Sequence, residues 1–473
     1  MPDISRRDFA RLAGSCGAVA LALAGRPRFA LAQASAKVVI VGGGAGGATV
    51  AHFLKIGAPE LDVTLIETNP IYSSSFFSNL YLGGLRSLES LNHTYGGLAR
   101  LGVKVVNDTA SDADTTKQVV KTRGGRSYHY DRLVLSPGIA MKYDSVKGYS
   151  ADVAHLMPHA YTTSAAGVRQ LKRQLRAMRD GGVVVIAPPS NPYRCPPGPY
   201  ERACMIAYYL KTRKPKSKLV ILDPKKSFSQ QAVITQAFAT HYPGMIELNL
   251  SDEIDDFSVA SIDPRSGEIS TIAGKRVRAD VANIIPQQRA ADIAIRAGCA
   301  EGDWCPIRPE NFASRKVKHV YVLGDAAIAA DMPKSAFSAN SQAKVVAADI
   351  LADVTKQARS AAPYHNTCWS LLAPDDSVKL DADFALNNGR LEPFNGFASQ
   401  PGEAAEVRKQ NYQESLAWHA AILSDMFARA RPAPAAPAPE QRPEQRPEQT
   451  PEQTPEQTPT QTPTQTPTQT KDG

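Results

Sequence analysis

The run Gly42-Gly43-Gly44-Ala45-Gly46-Gly47 sits between an apolar stretch, Val38 to Val41, and a helical stretch, ATVAHFLKIG. Gly42, Gly44 and Gly47 stand at the GxGxxG spacing of a dinucleotide cradle. Gly42 permits a tight turn, Gly44 lets the backbone approach a pyrophosphate, and Gly47 lets the helix pack on the strand. The helix N-terminus then faces the phosphates. A second strand stretch, Asp62 to Ile66, ends at Glu67, where a carboxylate accepts a ribose hydroxyl. Strand, glycine turn, helix, strand and acid together point to a bound adenine dinucleotide.

The other reactive candidates lie in a second unit of the same kind. Gly182 to Ile186 and Lys218 to Leu222 read as strands, with a helical segment from Glu201 to Lys211 between them. The turn here is APPSNPYRCPPGPYERA, without the glycine triplet. Proline lacks the N–H that a phosphate cradle uses, so this unit has a nucleotide-binding shape without its binding turn. Cys195 sits in that turn after Arg194. A neighbouring cation and a proline-stiffened loop suit a reactive thiol; a buried, inert thiol is the alternative. Glu201, at the helix start, is either a proton relay or a first-turn helix stabiliser. Cys204 falls inside the helix and reads as core filler. Cys299 and Cys305 are near enough in sequence to bridge.

The elements that position these residues fill a chain of 473 residues, enough for two or three domains. Lys104 to Asn107, Asp131 to Leu135 and Val320 to Leu323 read as further strands, the second ending in Ser136-Pro137-Gly138 and the third in Gly324-Asp325-Ala326. Residues 72–84, Ser-rich and aromatic, read as a loop over the cofactor. Glu403 to Ala428 reads as a last helix, whose apolar residues either pack on the body or form a docking face. The net charge of +8 is mild and forms no Lys/Arg stripe of the nucleic-acid kind. No apolar run is long enough for a transmembrane helix. Neither a metal site nor a CxxCH for a c-type haem is present in the pattern. At the start, Arg6-Arg7 before an Ala/Leu-rich stretch and Ala32-Gln33-Ala34 resemble a twin-arginine leader, which implies export of a folded protein to the periplasm. From Arg431 the PEQR, PEQT and PTQT repeats read as a disordered tail.

Two such units with a returning strand and a Gly-Asp-Ala turn resemble the glutathione reductase class of flavoproteins, which implies FAD rather than NAD and assigns Asp325 to its ribityl or pyrophosphate part. The blocks SNLYLGG, CPPGPYERA, NIIPQQRA, GDAAIAADMPKSAF and YHNTCWSLLAP bring the chain closer still to one family. Over about residues 36–427 it resembles the flavoprotein subunit of flavocytochrome c sulfide dehydrogenase, with sulfide:quinone oxidoreductases as broader relatives. The resemblance implies an α/β fold with two Rossmann-like dinucleotide-binding domains of the glutathione reductase type and a C-terminal interface domain. Its expected parts are a leader (1–34), an FAD-binding domain in two pieces (35–148 and 290–362), a vestigial NAD-type domain carrying Cys195 (149–289), a flavin-lining interface domain (363–430) and the tail (431–473).

The resemblance also implies the chemistry. Cys195 and Cys368 form a redox-active pair beside the flavin, hydrosulfide is the substrate, and zero-valent sulfur or polysulfide is the product. The expected acceptor is a c-type cytochrome subunit in a heterodimer. Two other readings are a sulfide:quinone oxidoreductase and a thiol- or sulfur-transfer partner without its own sulfide turnover. Asn79, Pro137, Gly138 and Lys334 join the expected cofactor site, Lys334 through its charge beside the flavin ring. Ser75 stands where many relatives carry the cysteine that holds FAD through a thioether. Serine cannot form that link, so FAD is expected to be non-covalent.

Overall fold

The computed structural model describes residues 36–161, 164–252, 256–359 and 363–428. The leader and the repeat tail lie outside the described residues. The first region contains β1 (Lys37–Val41), α1 (Ala45–Gly57), β2 (Asp62–Glu67), α2 (Ser78–Gly83), β3 (Lys104–Asn107) and β4 (Arg132–Leu135). Next come β5 (Val183–Ala187), α3 (Gly198–Arg213), β6 (Lys218–Asp223), β7 (Ile246–Leu250) and β8 (Val281–Ile284). The chain continues through β9 (Val320–Val322), α4 (Ala336–Thr355), β10 (Tyr364–Ala373), β11 (Asp376–Asn387), β12 (Arg390–Ala398) and α5 (Ala405–Phe427).

Two parallel sheets follow from two strand–helix–strand units. The first has the order β9-β4-β1-β2-β3, with Lys37 opposite Asp62 and Val38 opposite Arg132. The second has the order β7-β6-β5-β8, with Val183 opposite Lys218. Their strands are short β-branched runs such as VVIV and VVVI, which suit a sheet covered on both faces. In the second sheet Val184 and Ile186 point into one core and Val185 and Ala187 into another. This alternation is the two-residue period of a strand.

The third sheet, β10-β11-β12, is antiparallel. Its first strand joins the two main cores. Tyr364 near its start packs in the core of the first sheet, whereas Leu371 and Leu372 near its end pack in the core of the second. Cys368 lies between these anchors, opposite Leu380.

Residues 72–84 differ from the expected loop. They form a short strand, Ile71–Ser73, a 3₁₀ turn, Ser75–Phe77, and then the largely buried helix α2. The reason is apolar burial: Phe77, Leu80 and Leu82 insert into the core around α3. Helix α3 begins at Gly198, before Glu201. In α5, Leu423 and Phe427 are core residues, while Trp418 is only partly buried against the same cores.

Candidate active site

A cleft runs between the first turn, the Cys195 loop and β10. At one end are Gly42, Gly44 and Glu67. A Cβ on Gly47 would lie 1.9 Å from the Gly42 carbonyl oxygen, so helix and turn meet backbone to backbone. Gly44, by contrast, has open space where a Cβ would stand. No acid occupies the first turn of α1 and no side chain caps it, so its N–H groups face the cleft uncompensated. Glu67 accepts hydrogen bonds from the N–H groups of Gly43 (2.7 Å) and Asn69 (2.8 Å), which fix its carboxylate at the end of β2.

Pro137, Gly138, Ser75 and Asp325 line the middle of the cleft. Arg194 ties this stretch together. Its guanidinium lies 3.5 Å from the Asp325 carboxylate, donates to the Ser75 hydroxyl, and donates to the Tyr161 carbonyl at 2.9 Å. Sequence reading attached Arg194 only to the neighbouring thiol. Nothing in the spacing of residues 75, 194 and 325 announces that they meet.

Cys195 and Cys368 line the far end of the same cleft, both as free thiols and both partly exposed. Cys195 has φ of 57°, a left-handed backbone unusual for a residue with a Cβ. Its N–H donates to the Lys334 carbonyl (2.8 Å) and its carbonyl accepts from Gly198 N–H (2.9 Å). Asn366 lies within 3.6 Å of the Cys368 sulfur. Burial pushes the Cys195 thiol up to about 12, and the nearby Cys368 sulfur and Glu201 add to the rise. Arg194 pulls the other way and does not outweigh burial. Burial raises Cys368 as well.

Glu201 is buried beside the pair. It accepts from Asn79 Nδ2 at 2.6 Å and from Leu371 N–H at 3.0 Å. Burial raises its carboxyl to about 7 against the pull of these two bonds and of Arg202. Asn79 lines the cleft, but its amide is committed to protein partners: its oxygen accepts from the buried Arg202 at 3.1 Å. It therefore positions Glu201.

Lys334 lies behind this part of the site. Its ammonium donates to the carbonyls of Asp325 (3.0 Å) and Ala327 (2.6 Å), lies over the Trp304 ring, and is absent from the cleft wall. Burial pulls it down to about 8. Its main chain, not its charge, serves the site by receiving Cys195 N–H. Cys299 and Cys305 are free, buried thiols of the first core.

An aromatic wall was not legible in the sequence. Phe337 stacks on Trp418 at 5.8 Å, and Trp369, next to Cys368, lies 5.4 Å from Trp418. Trp369 Nε1 and Ser370 Oγ are buried, belong to cleft-lining residues, and have no hydrogen-bond partner among the described residues. Such orphaned polar atoms, with the open approach at Gly44 and the uncapped helix, fit a cofactor with a dinucleotide at one end and a polar ring system at the other.

Comparison with known families agrees with this geometry. Residues 36–186 match the family model for pyridine nucleotide-disulphide oxidoreductases. Residues 168–286 match the central region of the sulfide dehydrogenase [flavocytochrome c] flavoprotein chain, and residues 360–427 the flavin-binding region of flavocytochrome c sulphide dehydrogenase. The mitochondrial sulfide:quinone oxidoreductase of Mus musculus is 22% identical over 303 residues, covering 61% of this chain and 65% of the relative. The sulfide-quinone reductase of Aquifex aeolicus is 29% identical over 178 residues, covering 37% and 40%. The chain thus spans less than two thirds of either relative. The solved sulfide:quinone oxidoreductase of Aquifex aeolicus superposes with a TM-score of 0.65 at 19% identity, covering 84% of this chain and 93% of that one, a likeness of fold. The fold is a mixed α/β pyridine nucleotide-disulphide oxidoreductase fold, and the flavin-binding match supports FAD as its cofactor. The chain resembles the flavoprotein chain of flavocytochrome c sulfide dehydrogenase in its central and flavin-binding regions, and the sulfide:quinone oxidoreductases more broadly.

Proposed function

We propose that this protein oxidises hydrosulfide through the Cys195–Cys368 pair, with FAD held non-covalently in the cleft and a c-type cytochrome as electron acceptor. The observation that carries this is the meeting of the two cysteines, from distant parts of the chain, on the wall that also bears Gly44, Glu67 and Asp325. FAD supplies a two-electron acceptor that hands electrons on singly. The α1 N-terminus and Glu67 would hold its adenosine and pyrophosphate end; Asp325 and Ser75, both tied to Arg194, would hold the middle.

The cysteine pair in its disulfide form is opened by hydrosulfide. A bond forms between the incoming sulfur and one cysteine, the Cys–Cys bond breaks, and the other cysteine leaves as a thiolate. The first cysteine then carries a persulfide whose outer sulfur is the one to be released. Glu201, raised to about 7, changes protonation in the range where a base beside a sulfur is useful and accepts the proton. Asn79 and Leu371 N–H hold its two oxygens in place.

The test is anaerobic addition of sulfide to the FAD-loaded protein, with Cys195→Ser beside it. Loss of the oxidised-flavin band in wild type and its persistence in the variant is the expected result. A fully loaded wild type that does not bleach refutes the reading. Acid denaturation is expected to release all flavin from the polypeptide. Arg6-Arg7 in the leader supports periplasmic delivery, and replacing both with Lys should strand the protein in the cytoplasm.

A quinone acceptor is the second reading. The aromatic wall of Phe337, Trp369 and Trp418 beside Cys368 favours it, as an apolar surface. No helix among the described residues is long and apolar enough to cross a membrane. Turnover with a c-type cytochrome or with a quinone, each added alone after sulfide, decides between them.

A further inference from the structure

We infer that Tyr161 is a catalytic hydrogen-bond donor that stabilises the Cys195 sulfur as an anion when the disulfide opens, making Cys195 the leaving sulfur and Cys368 the one attacked. This rests on the sulfide-oxidising reading above.

The argument begins with what is missing around Cys195. A cysteine just before a helix ordinarily has its thiolate stabilised by the N–H groups of the first turn. Here Pro196 and Pro197 have no N–H, and Pro199 follows. The Gly198 N–H is spent on the Cys195 carbonyl. The Arg194 guanidinium is engaged by Ser75, Asp325 and the Tyr161 carbonyl. Asn366 serves the other sulfur, Cys368. An anionic Cys195 therefore needs a donor from elsewhere.

The Tyr161 hydroxyl stands ready for it. It is buried and without a hydrogen-bond partner among the described residues. A Cβ placed on Gly198 would lie 2.9 Å from Cys195 Sγ and 3.1 Å from Tyr161 Oη, so both atoms close on the same bare face of Gly198. A side chain on residue 198 would crowd both atoms. Arg202 lies 5.0 Å and Arg194 6.0 Å from the Tyr161 ring centre, and these cations strengthen the hydroxyl as a donor. Burial nevertheless keeps its proton on, well above the ordinary tyrosine range. Tyr161 thus donates without ionising. A buried hydroxyl with no bond in the resting site costs stability, and a bond formed only as charge develops is of the kind that lowers a barrier.

The step balances without further reagents. Hydrosulfide attacks Cys368 Sγ, a new S–S bond forms there, and the Cys195–Cys368 bond breaks. The electron pair of the broken bond leaves on Cys195 Sγ, which accepts the Tyr161 O–H. The hydrosulfide proton stays on the outer sulfur until Glu201 takes it. The oxidant is the disulfide itself.

Tyr161→Phe removes one oxygen and no existing bond, so melting temperature and FAD content should not fall. Two measurements on the FAD-loaded protein test the inference. Sulfide-driven bleaching should slow about ten- to a hundredfold, the worth of one hydrogen bond to a charged group. In a Cys368→Ser background, the pH–rate profile of Cys195 modification by a small methanethiosulfonate, read on its rising limb below the thiol's own range, should lie about ten- to a hundredfold lower on Tyr161→Phe, a shift of about one to two pH units. Gly198→Ala, which wedges a methyl between sulfur and hydroxyl, should move both readings the same way. The thiol titration needs no sulfide turnover. A wild type that fails to bleach but shows the titration shift overturns the proposed function and keeps the donor role. Unchanged titration in Tyr161→Phe overturns the donor role, as does a persulfide trapped on Cys195 in place of Cys368.

Discussion

The β1–α1–β2 and β5–α3–β6 units run the same way through two parallel sheets, yet their turns hold opposite resources. The first offers open backbone: Gly44 has nothing within 4 Å of its missing Cβ, and α1 carries no acid in its first turn. The second is filled: prolines replace the donors, Glu201 enters the first turn of α3, and Cys195 takes a left-handed backbone. The acids that end the middle strands differ in the same sense. Glu67 borders the cleft, whereas Asp223 is fully buried, paired with Lys225 at 2.6 Å and bonded by the Tyr200 hydroxyl. One topology thus carries two different turns, according to which residues remove or supply N–H groups, space and charge, and the proposed function assigns phosphate recognition to the first and sulfur chemistry to the second.

Four experiments press on this contrast. Gly47→Ala should have the largest effect, because a methyl 1.9 Å from a backbone oxygen cannot be absorbed by a side chain moving aside. A loss of about 3 kcal/mol or more of stability is expected by chemical denaturation of the apoprotein. Gly44→Ala should separate binding from folding. Its methyl enters open space, so the apoprotein should melt as wild type does, while FAD affinity in a reconstitution titration falls at least roughly tenfold through lost approach to the pyrophosphate.

Glu201→Gln tests the filled turn through stability, free of substrate ionisation. A carboxyl raised to about 7 in the folded state gives stability that is complete below its unfolded value near 4.5 and lost as pH rises through about 7. Wild type should therefore lose roughly 3 kcal/mol relative to the Gln variant between those pH values, read from denaturation curves. The smallest effect should come from reduced nicotinamides. NADH or NADPH added anaerobically should leave the flavin band unchanged, since the second turn has neither the glycines nor a free acid. Rapid bleaching by either would erase the contrast.

What could be read from the sequence was local. Gly42, Gly44, Gly47 and Glu67 act within one short unit, so their spacing carries their geometry, and the prolines around Cys195 announce a turn without N–H donors. The meeting of Ser75, Arg194 and Asp325 depends on three distant segments arriving together, and no spacing encodes it. The contacts of Lys334 were hidden for a related reason. A lysine near a cofactor segment suggests charge, but a flexible four-carbon stem lets the ammonium turn to the carbonyls of Asp325 and Ala327 and the ring of Trp304. The thiol of Cys195 shows the limit of adjacency: Arg194 is its neighbour in sequence, but burial outweighs that charge. Tyr161 gave no sequence signal at all, because its importance lies in a bond it does not yet make.

The anchoring of β10 in two cores has a mechanical consequence. Cys368 sits on a strand clamped at both ends, and Cys195 is pinned through its own N–H and carbonyl. Neither sulfur can be carried toward or away from the other by a hinge. In the proposed reaction, joining and parting the two sulfurs is left to torsions of two short side chains.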